Sequence, residues 1–247
     1  MSIKRAVLLC LLIVFLADLS SAEERAIDLI KPFNFGVRFG GNAPYIEIRN
    51  MYIDGKKYDP PSTRTSIGYV GSIFARYNIK RHFIQLEAST FYNQSHTTLE
   101  SHNTIIGENT PENSTINITA SLSSANYTID VPLFYGYNFI HKNAFLLNFF
   151  VGTKFKFPIS EKDRLTTNIP DYIVEHDIQC TPVQYYVAAG MSSSIGHFYI
   201  DFRYEYCLKT SKRISYQITT QDSKFQFGEG SFSRRIHELN LSIGYFW

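Results

Sequence analysis

The chain has 247 residues, a formal net charge of +2 and 15% aromatic residues, with 20 Phe and 17 Tyr but one Trp. That length holds one all-β domain or two small ones, and the near-balanced charge excludes the broad basic field of a nucleic-acid binder. A mean hydropathy of −0.14 excludes a bundle of apolar membrane helices but not a membrane barrel, whose strands are only half apolar.

Residues 1–22 read as a secretory signal peptide, with basic Lys4 and Arg5, an apolar run from Ala6 to Ala17 and small residues at Ser20-Ser21-Ala22. The run is shorter than the ~20 residues of a spanning helix. Leu9 stands before Cys10 where a lipoprotein signal needs a small residue. Removing the signal takes away Lys4, Arg5 and Asp18, leaving a charge of about +1. Residues 23–32 form a short periplasmic leader ended by Pro32, and 33–247 form the domain. Cys180 and Cys207 remain, and their offset along neighbouring predicted strands points to two separate thiols.

Eight stretches alternate with a two-residue period, which places apolar and polar side chains on opposite faces of a strand. They cover 33–42, 65–77, 82–93, 123–138, 144–157, 183–195, 198–208 and 234–247. In the seventh, Phe198, Ile200, Phe202, Tyr204 and Tyr206 oppose Asp201, Arg203, Glu205 and Cys207; in the last, Leu239, Leu241, Ile243, Tyr245 and Trp247 oppose Glu238, Asn240, Ser242 and Gly244. Pro132 inside the fourth implies a bulge or an unpaired position. Gly196-His197 is a two-residue hairpin turn.

The connections alternate long (43–64), short, long (94–122), short, long (158–182), short, long (209–233). An even strand count with short turns on one side and long loops on the other is the pattern of bacterial outer-membrane barrels. A soluble sandwich or lipocalin-like barrel also alternates, but its polar face would be more densely charged and hold fewer Gly and Ser. The expected fold is therefore an all-β, antiparallel, up-and-down transmembrane β-barrel of eight strands. A ten-stranded count follows if the Ile214–Thr219 or Ile105–Ile118 pieces cross the membrane.

The pattern resembles the PorT-like outer-membrane β-barrel family, common in Bacteroidetes. The resemblance lies in Phe35-Gly36-Val37-Arg38-Phe39-Gly40-Gly41, Ile129-Asp130-Val131-Pro132-Leu133, Ile200-Asp201-Phe202-Arg203-Tyr204-Glu205-Tyr206 and Ile243-Gly244-Tyr245-Phe246-Trp247, and covers essentially the whole mature chain. It implies no catalytic signature, and a link to protein secretion for some members. In a last barrel strand, the aromatic end Tyr245, Phe246 and Trp247 is expected to be the assembly signal read by the barrel-insertion machinery.

Nine charged residues fall on the polar face: Arg38, Arg76, Glu87, Asp130, Lys154, Asp201, Arg203, Glu205 and Glu238. Eight strands leave an interior that side chains fill, so these are expected to form a paired lumen network, because unpaired buried charge is expensive. A narrow ion path or proton relay is the functional alternative. Lys209, Lys212, Arg213, Arg234 and Arg235 are expected at the outer rim, bonding lipopolysaccharide phosphates. The histidines lack metal-binding spacing. His176-Asp177, or His96 and His102 with nearby serines, are the residues a rim-site hydrolase or acyltransferase would use, without a nucleophile motif.

The expected function is that of a non-catalytic outer-membrane barrel in a structural or interaction role, with no cofactor and no metal. Its partners are outer-membrane lipid and lipopolysaccharide, the insertion machinery and an envelope protein, but no nucleic acid. The rivals are an accessory component of a secretion or envelope assembly, and a rim-site enzyme.

Overall fold

Alternating side chains build a closed ring in the computed structural model, which describes residues 31–53, 55–57, 63–104, 115–142, 144–167, 172–220 and 226–247. The expected signal peptide, 1–22, and all but the end of the expected leader, 23–32, lie outside the described residues. The strands are β1 (Phe33–Ile53), β2 (Lys56–Lys57), β3 (Thr63–Thr65), β4 (Gly68–Ile79), β5 (His82–Thr104), β6 (Thr115–Lys142), β7 (Phe145–Thr167), β8 (Tyr172–Cys180), β9 (Gln184–Ile195), β10 (Phe198–Cys207), β11 (Lys212–Thr220) and β12 (Gln226–Phe246). All ladders are antiparallel. They run β1-β4-β5-β6-β7-β9-β10-β12, and β12 pairs back with β1 to close eight strands into a barrel.

β8 and β11 do not add crossings. β12 faces Glu205 of β10 with Glu238 and Lys212 of β11 with Arg234, so β11 is the upward continuation of β10 beyond a bulge. β8 continues β9 in the same way, beside β11. The ring therefore stays at eight. Residues 105–114 lie outside the described residues, but β5 and β6 stay paired up to Thr104 opposite Thr115, a hairpin extension and not a crossing.

The three short turns share one end: Ile79 to His82, Lys142 to Phe145 and Ile195 to Phe198. Lys80 (φ 56°) and Gly196 (φ 58°) take the left-handed conformation that such tight turns demand. At Pro132 the β5–β6 ladder skips from Leu86 opposite Leu133 to Ser89 opposite Asp130 without a register shift. The proline costs a pairing and no bulge forms.

The outer face is the apolar one. Phe39 is 68% exposed, Tyr69 69% and Ile243 59%, while every one of the nine expected lumen charges is buried. This inversion of a soluble fold needs lipid around it. Tyr45, Tyr69, Tyr92, Tyr127, Tyr185 and Tyr206 edge the apolar band above, and Phe33, Tyr77, Tyr137, Phe198, Tyr245 and Trp247 edge it below, as aromatic side chains do at membrane interfaces.

Most of what reads as long connection is strand. Above the band the alternation persists but its phase inverts: Ile46, Ile48, Ile214, Tyr216, Phe232 and Ile236 turn inward and are buried, while Glu47, Arg49, Arg213, Ser215 and Gln217 turn outward. There water, not lipid, surrounds the barrel, so the polar side chains move outside.

The lower interior is aromatic. Phe74, Leu146, Tyr199 and Phe246 form one buried cluster and Phe83, Phe134, Phe150 and Ala188 another. Glycines make room for the rings. A Cβ on Gly136 would lie 2.1 Å from Phe83 Cζ, and one on Gly244 2.3 Å from Tyr199 Cε1.

Candidate functional site

Above the aromatic floor the inward charges stand in layers. In the lower layer Arg203 Nε and Nη2 donate to Asp201 Oδ1 and Oδ2 at 2.7 and 2.8 Å. Arg203 Nη1 and Nη2 reach Glu87 at 3.0 and 3.1 Å. Arg38 approaches the same carboxylate at 3.1 and 3.3 Å and donates to Ser242 Oγ at 3.0 Å. Arg76 bonds Gln85 at 2.7 Å and stacks 4.1 Å from the Phe83 ring centroid; Gln85 in turn donates to Glu87.

The next layer is built around Lys154, whose ammonium lies 2.9 Å from Asp130 and 2.7 Å from Glu238 and also pairs with Glu205. Lys156 pairs with Glu238 and lies 3.7 Å from Asp130. Phe91 and Tyr186 offer their ring faces to Lys154 at 4.6 and 4.4 Å. Lys156 is a tenth lumen charge beyond the nine expected, and its two-residue spacing from Lys154 puts it on the same inward face. Three cations meet two carboxylates below, and two cations meet three carboxylates here, so the two layers together balance. Opposed charges at these distances satisfy one another and leave the lumen filled.

A third layer corrects the expected lipopolysaccharide set. Lys212 and Arg234 point into the barrel and are 0% and 1% exposed. Lys212 Nζ lies 2.8 Å from Asp163, 3.2 Å from Glu161 and 3.0 Å from Asn126 Oδ1. Arg234 Nη1 donates to Ser124 Oγ at 3.1 Å. The cause is parity: Arg234 and Glu238 are an even number of residues apart on one strand and must share a face. Lys209 and Arg213 are exposed and Arg235 is half-buried, all on the outer surface above the tyrosines.

Burial works against ionisation of Asp163, but the Lys212 ammonium prevails and holds its carboxyl below the usual range. Cys180 and Cys207 are both free. The Cys180 thiol is pushed up to about 12 by burial and by its hydrogen bond to Glu161. His237, wedged between Tyr206 and Tyr45, accepts the Cys207 N–H at 3.1 Å and so caps the break between β10 and β11.

At the lower rim Tyr245 and Trp247 face outward, and Tyr245 packs edge-on against Phe198 at 5.2 Å. Phe246 turns inward to seal the floor. Trp247 N donates to Phe35 O at 2.9 Å, which closes the seam between first and last strands. His96 shares a 2.8 Å hydrogen bond with Ser123 on the exposed outer face. The side chains of His102 and His176 lie outside the described residues.

No curated protein sequence matches the chain. Its fold is similar to that of outer membrane protein OprG from Pseudomonas aeruginosa, with a TM-score of 0.52 and 13% identity over 88% of this chain and 97% of that one. The attachment invasion locus protein Ail of Yersinia pestis, in complex with the heparin analogue sucrose octasulfate, matches with a TM-score of 0.35 and 12% identity over 88% and 100%. The outer membrane protease OmpT from Escherichia coli gives 0.40 and 8% over 91% and 99%. The OprG likeness shows the fold. The family described as outer membrane protein beta-barrel domain matches residues 18–213. With its lipid-facing exterior, closed eight-stranded ring and charged interior, the chain belongs to the outer membrane protein beta-barrel domain family of the bacterial outer membrane.

Proposed function

We propose that this protein is a non-conducting, non-catalytic barrel that anchors a β-extension above the outer membrane. Lys209, Arg213 and Arg235 bond lipopolysaccharide phosphates where the extension leaves the lipid. The carrying observation is the filled interior: Arg38, Arg203, Asp130, Glu205 and Glu238 are each 0% exposed. Such a core resists ion entry, because a passing ion would have to displace paired charges from one another. The outward cations stand just above the tyrosine girdle, where charge-assisted hydrogen bonds to lipid phosphates are within reach.

Purified protein in planar bilayers tests the first half: no discrete conductance steps are expected, and ohmic channels in the wild type would overturn it. Lipopolysaccharide retention tests the second. Charge reversal at Arg213 and Arg235 should lower it, and unchanged retention would remove the contact.

A second reading, an accessory component of a secretion or envelope assembly as in PorT-like barrels, is favoured by the concave outer face lined by Tyr52, Glu175, Asp177, Gln217 and Ser231. Its test is recovery of a stoichiometric envelope partner after mild solubilisation, lost on changing Glu175 and Asp177 to lysine.

A further inference from the structure

The short-turn end of the barrel, which in outer-membrane barrels faces the periplasm, carries side chains of one charge sign. Among the described residues it holds Lys31, Lys80, Arg81, His82, His141 and Lys142 but no Asp or Glu. Carboxylates begin higher in the wall with Asp201 and Glu87, which are turned inward and held by Arg203 and Arg38. Lys31, Lys80, Arg81 and Lys142 are exposed, and none forms an ion pair among the described residues. They are gathered on one arc of the rim. Asn78 Nδ2 donates to Lys31 O at 2.7 Å, which sets the end of the leader against the first short turn. Asn138 N donates to Arg81 O at 2.7 Å, which sets the first turn against the second. The third turn carries His197, whose Nδ1 is 2.8 Å from Phe246 O and so belongs to the closing seam.

Two features tie this arc to a membrane surface. Apolar side chains stand among the cations: Ile79, Phe139 and Ile140 are exposed, directly below Tyr77 and Tyr137 of the lower aromatic band. They continue the lipid-facing wall, so the cations one to three residues further on stand at headgroup height, where long basic side chains lay their stems on apolar surface and their charge in the polar layer. His82 is fixed in the same place, stacked on Tyr135 and Tyr137 and sharing a 2.7 Å hydrogen bond with the Tyr135 hydroxyl. The second feature is Lys80 itself. It takes the left-handed conformation, φ 56°, at a turn position where Gly, Asn and Asp are the usual residues. A lysine adds strain there that glycine would avoid, so turn geometry does not account for it.

We propose that this arc binds the headgroup phosphates of anionic phospholipids in the periplasmic leaflet. Lys and Arg hold phosphate oxygens by charge-assisted hydrogen bonds, and a basic cluster beside the hydrocarbon draws anionic headgroups over zwitterionic ones. The exposed Ile79, Phe139 and Ile140 give the attached acyl chains a wall to lie on. On the inner side the aromatic floor of Phe83, Phe134, Phe150 and Ala188 fills the barrel, so the lipid comes from outside. The inference rests on the placement of the chain as an outer-membrane barrel. It goes beyond the lipopolysaccharide contact proposed at the opposite rim, which uses other cations.

The test is electron paramagnetic resonance of spin-labelled phosphatidylglycerol and phosphatidylcholine around the full mature barrel in phosphatidylcholine vesicles. A preference of about threefold for phosphatidylglycerol is expected at the protein surface, weakened by high salt. The combined variant Lys80→Asn, Arg81→Gln and Lys142→Gln, whose asparagine suits the left-handed turn, should lose at least half of it. A preference unchanged in that variant overturns the proposal, and so does one lost wholly on neutralising Lys209, Arg213 and Arg235 at the other rim. Inorganic phosphate should compete no better than chloride at matched ionic strength; phosphate alone abolishing the preference would make the arc a small-anion site. Salt-sensitive co-sedimentation with peptidoglycan and no lipid preference would give the arc to the cell wall. A preference that emerges only after neutralising Glu23, Glu24 and Asp28 would give it to the leader. Each of these three outcomes overturns the lipid assignment. Heat-modifiable migration on gels checks folding, and if the combined variant fails to fold, an unchanged preference in both Arg81→Gln and Lys142→Gln overturns the proposal.

Discussion

Arg203 and Asp201, two residues apart on the inward face of β10, lock together through both guanidinium and both carboxylate ends at 2.7 and 2.8 Å. Arg203 then reaches across the lumen to Glu87, which Arg38 also holds. One cation thus serves two carboxylates on different strands. Arg203→Met should destabilise the barrel by roughly 3–5 kcal/mol, because Asp201 loses its buried partner and Glu87 keeps Arg38 as its one bonded cation, beside the Gln85 amide. Urea unfolding, followed by the fluorescence of the single Trp, Trp247, measures it. An unchanged midpoint would mean the network contributes no stability.

Gly136 leaves the space that Phe83 occupies, since a Cβ there would lie 2.1 Å from the ring. Gly136→Val should cost on the order of 1–3 kcal/mol or more through overpacking. Adding Phe83→Ala should relieve the clash while keeping the penalty of the lost ring. Equal stability of the single variant and the pair would show that the glycine is not there for Phe83.

At the closing strand Phe246 and Trp247 have separable jobs. Phe246 is buried in the floor cluster, so Phe246→Ala should lower stability by about 3–5 kcal/mol. Trp247 points to the interface, and its removal together with Phe246 should block insertion while leaving export intact. A fractionation experiment reads this out. Normal heat-modifiable barrel in the double deletion would eliminate the assembly role.

The Asp163–Lys212 pair predicts a pH dependence of the extension. The folded carboxyl lies below its ordinary value of 3.8. Its stabilising effect is therefore complete above the unfolded value and is lost as pH falls through the folded one. Hydrogen exchange in β8 and β11 should be flat from neutral pH to mild acid once intrinsic rates are corrected, and should rise below that. Asp163→Asn should remove the acid step, and its persistence would assign the step to another group.

Charge reversal separates the outward from the inward cations. Changing Arg213 and Arg235 to glutamate should reduce lipopolysaccharide retention with little effect on unfolding. Lys212→Glu should do the opposite, because it places a third carboxylate against Asp163 and Glu161. Reduced retention in a fully stable Lys212→Glu barrel would contradict its inward placement.

The nine lumen charges are legible from alternation because a strand has only two faces and their parity is shared. That same parity puts Arg234 inside with Glu238 and Lys156 inside with Lys154. An outer-rim position for Arg234 runs against that period, and the structure places it inside. Ile46 and Ile48 escape a search for the membrane pattern because their alternation runs in the opposite phase. Once the strand leaves lipid, the same periodicity encodes the reverse arrangement.

From the sequence alone follow the alternating strands, the lipid-facing face and the charged interior, because each rests on period and turn chemistry within one strand, whereas the choice of eight crossings over ten waited for the pairing of β8 with β11. Only the tertiary structure decided which charge meets which, that Phe83 lies over Gly136, and that β10 and β11 are one interrupted strand. Those depend on register between strands distant in sequence, which closure of the ring sets and no local pattern records.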